Sequence, residues 1–127
     1  MSKKPNLEYL QTVSDDRGSI IFMKHGSKLL NIVEIKKGFS RGGHFHPFHS
    51  IHNLISGSVE YLEFNTKTNE EQKTILNAPF IIDVSPSVAH LLTAIEDTLF
   101  IEIFENEYQA TNFPKYRKIV EEKISSI

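Results

Sequence analysis

The sequence predicts an all-β fold, a sandwich or barrel of antiparallel strands that ends in one short helix. Short apolar runs rich in Ile, Val, Phe and Tyr recur along the chain, and turn residues separate them. A spacing of about 8 to 12 residues between turns is typical of antiparallel sandwiches and barrels. Helical periodicity is convincing only near the C-terminus. With 127 residues, of which 39% are hydrophobic, the chain can bury one core, so we expect a single domain over 1–127.

The predicted strands follow one another along the chain, each beside a turn signal. The first follows the polar turn at 15–18, and later strands are bounded by Gly38, Gly57 and Pro86. We expect strands at 19–23, 29–35, 52–56, 59–64, 80–84, 90–95 and 98–104. A helix is expected over 115–124, where apolar side chains at helical spacing share one face: Tyr116, Ile119, Val120 and Ile124.

Charge and composition exclude several classes of function. A formal net charge of −2 gives no broad positive field for nucleic acid or an anionic membrane. The chain has no cysteine, so histidine and carboxylate are the groups left for ligation or catalysis. No apolar run is long enough to span a membrane, and the first residues lack the apolar core of a signal peptide. We therefore expect a cytoplasmic protein with no nucleic-acid or membrane partner.

Four of the six histidines lie within the segment 41–52. On an extended strand His44 and His46 project to the same face, roughly 6.5 to 7 Å apart, so both can reach one ion or one substrate. Gly42-Gly43 just before them permits close backbone approach. His90 is the distant residue that could complete a three-histidine metal site.

The remaining histidines are less well defined. Pro47 interrupts the strand, so the face on which His52 lies stays undecided. His49 and His25 are expected at the surface, and the role of His49 stays open as well.

These residues resemble the motifs of the cupin superfamily. The first motif is Gly, five residues, His-x-His, three or four residues, Glu, six residues, Gly, and the segment from Gly38 to Gly57 is in register with it. The segment 85–90, which ends at His90, is similar to the second motif, Pro-x-Gly-x-x-His. Position 50 is Ser where the motif has the ligand Glu. The resemblance implies a cupin jelly-roll β-barrel, also called a double-stranded β-helix, with the short C-terminal helix appended.

A narrower resemblance is to the sugar-nucleotide branches of that superfamily. Arg41-Gly42-Gly43-His44-Phe45-His46 and Asp15-Asp16-Arg17-Gly18-Ser19 look like segments of the RmlC-like dTDP-4-dehydrorhamnose 3,5-epimerases and the WxcM-like sugar 3,4-ketoisomerases. The tail 105–116, acidic and tyrosine-containing, is similar to that of the ketoisomerases. The resemblance implies a nucleotide-sugar 3,4-ketoisomerase or epimerase of deoxysugar or surface polysaccharide biosynthesis, acting on a dTDP-4-keto-6-deoxyhexose.

Such a reaction moves a proton next to a ketone and requires no cofactor, so none is expected. Under this interpretation His44 or His46 is the base, with the other polarising the carbonyl or acting as acid, and Tyr61 is a candidate acid. Arg17 and Arg41 would hold phosphate, and His52 would contact substrate. Arg17 could instead pair with an aspartate of its own turn.

Two other classes stay open from the sequence. One is a metal-dependent cupin in which His44, His46 and His90 bind Fe, Mn, Ni or Zn. The other is a cupin that binds a sugar without turnover. Glu63 and Glu102 are expected to face solvent, with orientation of an imidazole as the alternative. We also expect a homodimer, because 98–104 could pair with or pack against a second copy.

Overall fold

Two antiparallel sheets pack face to face and a C-terminal helix covers one of them. In the computed structural model the residues described are 6–104 and 108–125. Within them the elements are β1 (Leu7–Asp15), β2 (Gly18–His25), β3 (Lys28–Ile35), β4 (Ser40–Phe45), β5 (Ser50–Ser56), β6 (Ser58–Asn65), β7 (Glu71–Asn77), β8 (Phe80–Val84), β9 (Val88–Ala94), β10 (Thr98–Phe104), β11 (Thr111–Asn112) and α1 (Pro114–Ser125).

The strand order is that of a jelly roll. One sheet runs β1-β2-β3-β10-β5-β8 and the other runs β11-β4-β9-β6-β7. From β3 onward, strands adjacent in sequence therefore alternate between the sheets, except for the β6–β7 pair, which lies within the second sheet, and this is the arrangement of double-sheet jelly rolls. The predicted all-β fold with a C-terminal helix is confirmed, and the helix extends one residue beyond each end of the predicted range.

Alternation along β9 separates two apolar clusters. Leu92 and Ala94 belong to the core between the sheets, whereas Ala89 and Leu91 face the other way and pack under α1. Tyr116 and Val120 of α1 are fully buried in this second cluster. Because both faces of β9 are buried, apolar residues are favoured at consecutive positions rather than at alternate ones, and the segment 88–94 is mostly apolar for this reason. His90 lies on the inner face with Leu92, between the sheets.

β4 was expected only as the extended strand that carries His44, and three further strands were not predicted: β1, β7 and β11. Residues of β1 are exposed on both faces, and six of the seven residues of β7 are exposed. Both strands lie at an edge of a sheet. Because they bury little, their sequences lack the apolar alternation from which strands are recognised. β11 has two residues and pairs only with β4.

Of the two expected contacts of 98–104 with a second copy, edge-to-edge pairing is wrong, whereas packing of its face stays a prediction. β10 is hydrogen-bonded to β3 on one side and β5 on the other, so its backbone groups are already paired. The homodimer itself stays a prediction, as does the cytoplasmic location. No helix in the described part of the chain is long and apolar enough to cross a membrane.

Candidate metal centre

A glycine pair allows β4 to direct two side chains three residues apart into one cavity. The β4–β9 ladder shifts register between Gly42 and His44, so β4 carries one extra residue there. After this bulge Arg41 and His44 both line the cavity, which regular alternation would forbid. Gly42 has φ +108° and a Cβ built on it would lie 2.6 Å from the carbonyl oxygen of His90. Only glycine lets β4 approach β9 this closely.

His44, His46 and His90 form one cluster inside the barrel. His44 lies directly opposite His90 in the β4–β9 ladder. The ring centroid of His44 is 4.8 Å from those of both His46 and His90, and the other two centroids are 5.4 Å apart. One nitrogen from each residue lies within 4.8 Å of the others. The structure thus brings together the three residues that the sequence proposed as a metal site.

Hydrogen bonds fix the orientation of two of these rings. Nδ1 of His46 is 2.7 Å from the carbonyl oxygen of Gln109, and Nδ1 of His90 is 3.3 Å from that of Val88. A carbonyl can only accept, so the proton is assigned to Nδ1 and the lone pair to Nε2. The Nε2 atoms of His44, His46 and His90 are buried and have no hydrogen-bond partner among the described residues. Buried polar atoms are rarely left so, and three clustered imidazoles with unpartnered Nε2 atoms fit a divalent transition metal.

Burial keeps these imidazoles neutral. It lowers the pKa of His44 to about 4, with a further contribution from His46. Burial also lowers the pKa of His46, and it lowers the pKa of His90 well below its ordinary value. The neutral form is the one that binds a metal, so at neutral pH no proton must leave first.

A buried carboxylate lies on the same cavity wall. Nε2 of His52 is 3.2 Å from Oε2 of Glu102, and the side chain of Glu102 is 16% exposed. The two residues are opposite each other in the β5–β10 ladder. Burial raises the pKa of Glu102, but the hydrogen bond with His52, the electrostatic attraction of His52 and His44, and the hydrogen bond with Asn31 together outweigh this, so its pKa is below the ordinary value. The expectation that Glu102 faces solvent is wrong, and the alternative, a carboxylate beside an imidazole, is what the structure has.

The cavity has a volume of about 700 Å³ and three arginines in its lining. Arg41 is buried and donates from Nε to the Glu34 carbonyl and from Nη2 to the Gly18 carbonyl. Arg17 lies 2.7 Å from Asp15 in an ion pair of its own turn, the alternative that the sequence allowed. The third is Arg117 of α1. Volumes of about 300 to 1,000 Å³ are usual for small-molecule sites.

Tyr61 does not line the cavity. It belongs to the hydrophobic core with 6% of its surface exposed, and its hydroxyl donates to Glu63 over 3.3 Å. Burial raises its pKa. His52 is buried inside the barrel, with its Nδ1 unpartnered among the described residues, whereas His49 is exposed beside Asp83.

Two cavity residues were missed from the sequence. The ring of Tyr108 lies 5.4 Å from that of His46 and 6.4 Å from that of His44. Its signal was the tyrosine of the tail 105–116, of which 105–107 lie outside the described residues. Nη1 of Arg117 donates to the carbonyl of Gly42 at 3.0 Å. No motif pointed to Arg117, because its place depends on how α1 docks on β4.

Comparison with known proteins identifies the fold. No protein-family model matches the chain, and no curated protein sequence matches it. Among solved structures, CapF, a capsular polysaccharide assembling protein from Staphylococcus aureus, is 16% identical, with a TM-score of 0.68 over 80% of this chain and 30% of that chain. Oxalate decarboxylase from Lactobacillus farciminis in complex with formate is 20% identical, with a TM-score of 0.72 over 84% and 34%.

A third similar structure is Bacillus subtilis oxalate decarboxylase, from work on its Mn(II) centres. It is 18% identical, with a TM-score of 0.73 over 84% of this chain and 31% of that chain. The chain spans about a third of the length of these proteins. At such identities the likeness concerns the fold alone. Its two antiparallel sheets, its short C-terminal helix and these neighbours show that the chain adopts the cupin jelly-roll fold.

Proposed function

We propose that the protein is a metal-dependent cupin in which His44, His46 and His90 bind one divalent Fe, Mn, Ni or Zn ion. Two observations carry the proposal: one nitrogen from each of the three imidazoles lies within 4.8 Å of the others, and the Nε2 atoms of all three are buried without a partner among the described residues. Three protein ligands leave coordination positions for a small molecule. A metal bound there would act as a Lewis acid toward an oxygen atom of that molecule.

The residues around the cluster have separable roles in this proposal. Glu102 is held by His52 and Asn31 and is ionised at neutral pH, so it can accept a proton from a molecule in the cavity. Tyr108 is 48% exposed, and its partial burial raises its pKa to about 12, so its hydroxyl keeps its proton and can donate a hydrogen bond. Arg41 is held by two backbone carbonyls and forms a fixed part of the wall.

Elemental analysis with matched histidine variants tests the proposal. Purified protein is stripped with a chelator, reloaded with each metal in turn, dialysed and measured for metal content. We expect about one ion per chain in the wild type, and its loss in His90→Ala and in His44→Ala. His49→Ala is the control, because His49 is exposed and lies outside the cluster.

Two results would contradict the proposal: wild-type protein without stoichiometric metal, or His90→Ala that retains it. Circular dichroism accompanies each measurement, so that loss of metal is not confused with loss of fold. The control variant His49→Ala should keep its fold. It removes only the exposed pair that His49 forms with Asp83 of β8, so we expect the free energy of unfolding to change by less than about 1 kcal/mol.

The second candidate is the nucleotide-sugar 3,4-ketoisomerase or epimerase that the sequence resembles. The observation that favours it is a cavity of about 700 Å³ lined by Arg17, Arg41 and Arg117, which suits an anionic ligand of that size. CapF, with a similar fold, is described as a capsular polysaccharide assembling protein. Here His44 or His46 would serve as base, and Tyr108 takes over from Tyr61 as the candidate acid. A sugar-binding protein without turnover would use the same cavity.

Proton exchange distinguishes these alternatives. A dTDP-4-keto-6-deoxyhexose incubated with the protein in deuterated water should acquire deuterium next to the ketone if any isomerisation or epimerisation occurs. Binding without turnover would raise the melting temperature with dTDP yet leave no label. Stoichiometric metal that is lost in His44→Ala would contradict a metal-free reaction with that residue as base.

A further inference from the structure

The first turn of α1 is fixed against the strand that carries the histidines. The amide of Phe113 donates to the carbonyl of Gly43 at 2.8 Å, and the amide of Arg117 donates to the carbonyl of Phe113 at 2.9 Å. Gly43 has φ +81° and a Cβ built on it would lie 2.9 Å from the backbone nitrogen of Arg117. With Tyr116 fully buried one residue earlier, the position of Arg117 relative to β4 is well determined.

Arg117 lines the cavity, and within the described residues its side chain makes one hydrogen bond. Nη1 donates to the carbonyl of Gly42, two residues before His44, and the same cavity is lined by Tyr108. An arginine has five N–H donors, so this hydrogen bond to Gly42 occupies only one of them. Arg17 by contrast forms an ion pair with Asp15, and Arg41 uses two of its nitrogens on the wall.

The charge of the cavity favours an anion. Its lining includes Arg17, Arg41, Arg117 and Glu102, that is three positive charges against one negative, or +2 from these four side chains. The aspartate that pairs with Arg17 reduces this to +1. A cavity with low-dielectric walls and an excess of one sign of charge raises the local concentration of ligands that carry the opposite charge. A metal ion would add to the same field.

We propose that Arg117 determines ligand specificity by binding a carboxylate or phosphate group of a small molecule whose other end reaches His44, His46 and His90. The inference rests on the proposed function for that second contact. Arginine matches both oxyanions through two parallel N–H donors, a geometry that lysine cannot reproduce. The carbonyl of Gly42 holds the guanidinium in place before the ligand arrives, which reduces the entropy lost on binding.

Isothermal titration calorimetry with two anions tests the inference. Malonate represents a carboxylate ligand and inorganic phosphate represents a phosphate ligand, each titrated into chelator-stripped and into Zn²⁺-loaded protein. The proteins are wild type, Arg117→Gln, Arg117→Lys and Lys118→Gln. Lys118 is the matched control, because it carries the same charge on the same helix but its side chain is 77% exposed.

We expect Arg117→Gln to weaken the better of the two anions by about tenfold or more, since a lost hydrogen bond to a charged group has that size. Arg117→Lys should recover part of the affinity, and Lys118→Gln should stay within about twofold of wild type. The preferred anion identifies the ligand class. Metal content should be the same in all four proteins, because Arg117 is not a ligand.

Three outcomes would overturn the inference: wild-type affinity in Arg117→Gln, an equal loss in Lys118→Gln, or no binding of either anion by the wild type at millimolar concentration. If Arg117→Gln loses its fold, Arg117→Lys decides, since it keeps a donor for the carbonyl of Gly42 and lacks only the fork. Affinity that depends on Arg117 in a wild-type protein that binds no metal would refute the proposed function and leave the anion site standing.

Discussion

Gly42→Ala should separate β4 from β9 and so damage the histidine cluster. The added methyl would lie 2.6 Å from the carbonyl oxygen of His90 and 3.4 Å from the Cα of Leu91. Both are backbone atoms of the neighbouring strand, so no side chain can rotate away to make room. Since His44 is the residue paired with His90 in this ladder, a local separation of the strands moves one ligand nitrogen away from another.

A second glycine isolates the steric part of this effect. Gly38 has φ +88° and a Cβ there would meet nothing within 4 Å, whereas Gly42 has φ +108° and meets β9. Gly38→Ala therefore measures the cost of a positive φ alone, about 1 to 3 kcal/mol. Gly42→Ala adds the cost of overpacking, about 1 to 3 kcal/mol more.

Urea unfolding of metal-free protein followed by circular dichroism gives both free energies, and metal titration of the folded variants gives the affinity. We expect Gly42→Ala to be the less stable variant and the one that loses metal affinity. Equal stabilities for the two variants, with unchanged metal binding in Gly42→Ala, would refute the argument that close approach of β4 to β9 builds the site.

Other predictions concern acid sensitivity, the docking of α1 and a buried hydroxyl. The pKa of His44 falls from 6.5 to about 4 on folding, so the unfolded chain binds more protons below 6.5. The free energy of unfolding of metal-free protein should then decrease as the pH falls below 6.5, and His44 alone should account for about 2 kcal/mol of this decrease at pH 5. Urea unfolding at each pH measures it. If the His44→Asn variant shows the same decrease as the wild type, the prediction is contradicted. Tyr116→Phe removes the hydroxyl that donates to Glu71 over 2.7 Å but keeps the buried ring, so the free energy of unfolding should fall by about 1 kcal/mol. Lys115→Gln removes the exposed salt bridge to the same carboxylate and should lower the free energy of unfolding by less than about 0.5 kcal/mol. Ser50→Ala should be neutral or stabilising in a thermal melt, because the hydroxyl is buried without a partner among the described residues; a clear loss of stability would mean that the hydroxyl is bound after all.

The histidine cluster was predictable where local spacing decides the outcome. His-x-His on a strand places two rings on one face, and glycines before it signal a bulge or a close approach. Both features are present, and His90 joins them through the β4–β9 ladder. The fold followed from the recurrence of short apolar runs, except for β1 and β7, whose exposed faces leave no apolar signal.

Tyr61 and Arg117 show what local spacing cannot decide. The side chain of Tyr61 does face inward, but its position along the barrel is set by register: Glu63, not Tyr61, lies opposite His90, and Tyr61 lies opposite Leu92. It therefore joins the core two residues away from the cluster. Arg117 reaches the cavity because α1 docks on β4 at Gly43. The two segments are far apart in the sequence: Arg117 and its hydrogen-bond partner Gly42 are separated by 75 residues.

The serine at position 50 acquires a different meaning once strand pairing is known. The cupin motif has its acidic ligand there, and this chain has no carboxylate at that position. Ser50 and His52 share the buried face of β5, and β10 lies beside that strand with Glu102 opposite His52. The carboxylate inside the barrel thus comes from β10 rather than β5. Glu102 is hydrogen-bonded to His52 and is not one of the three residues whose ligand atoms converge. A carboxylate held beside the histidine cluster, and not part of it, is available to accept a proton; under the proposed metal binding, a Glu that coordinated the ion could not fill that role.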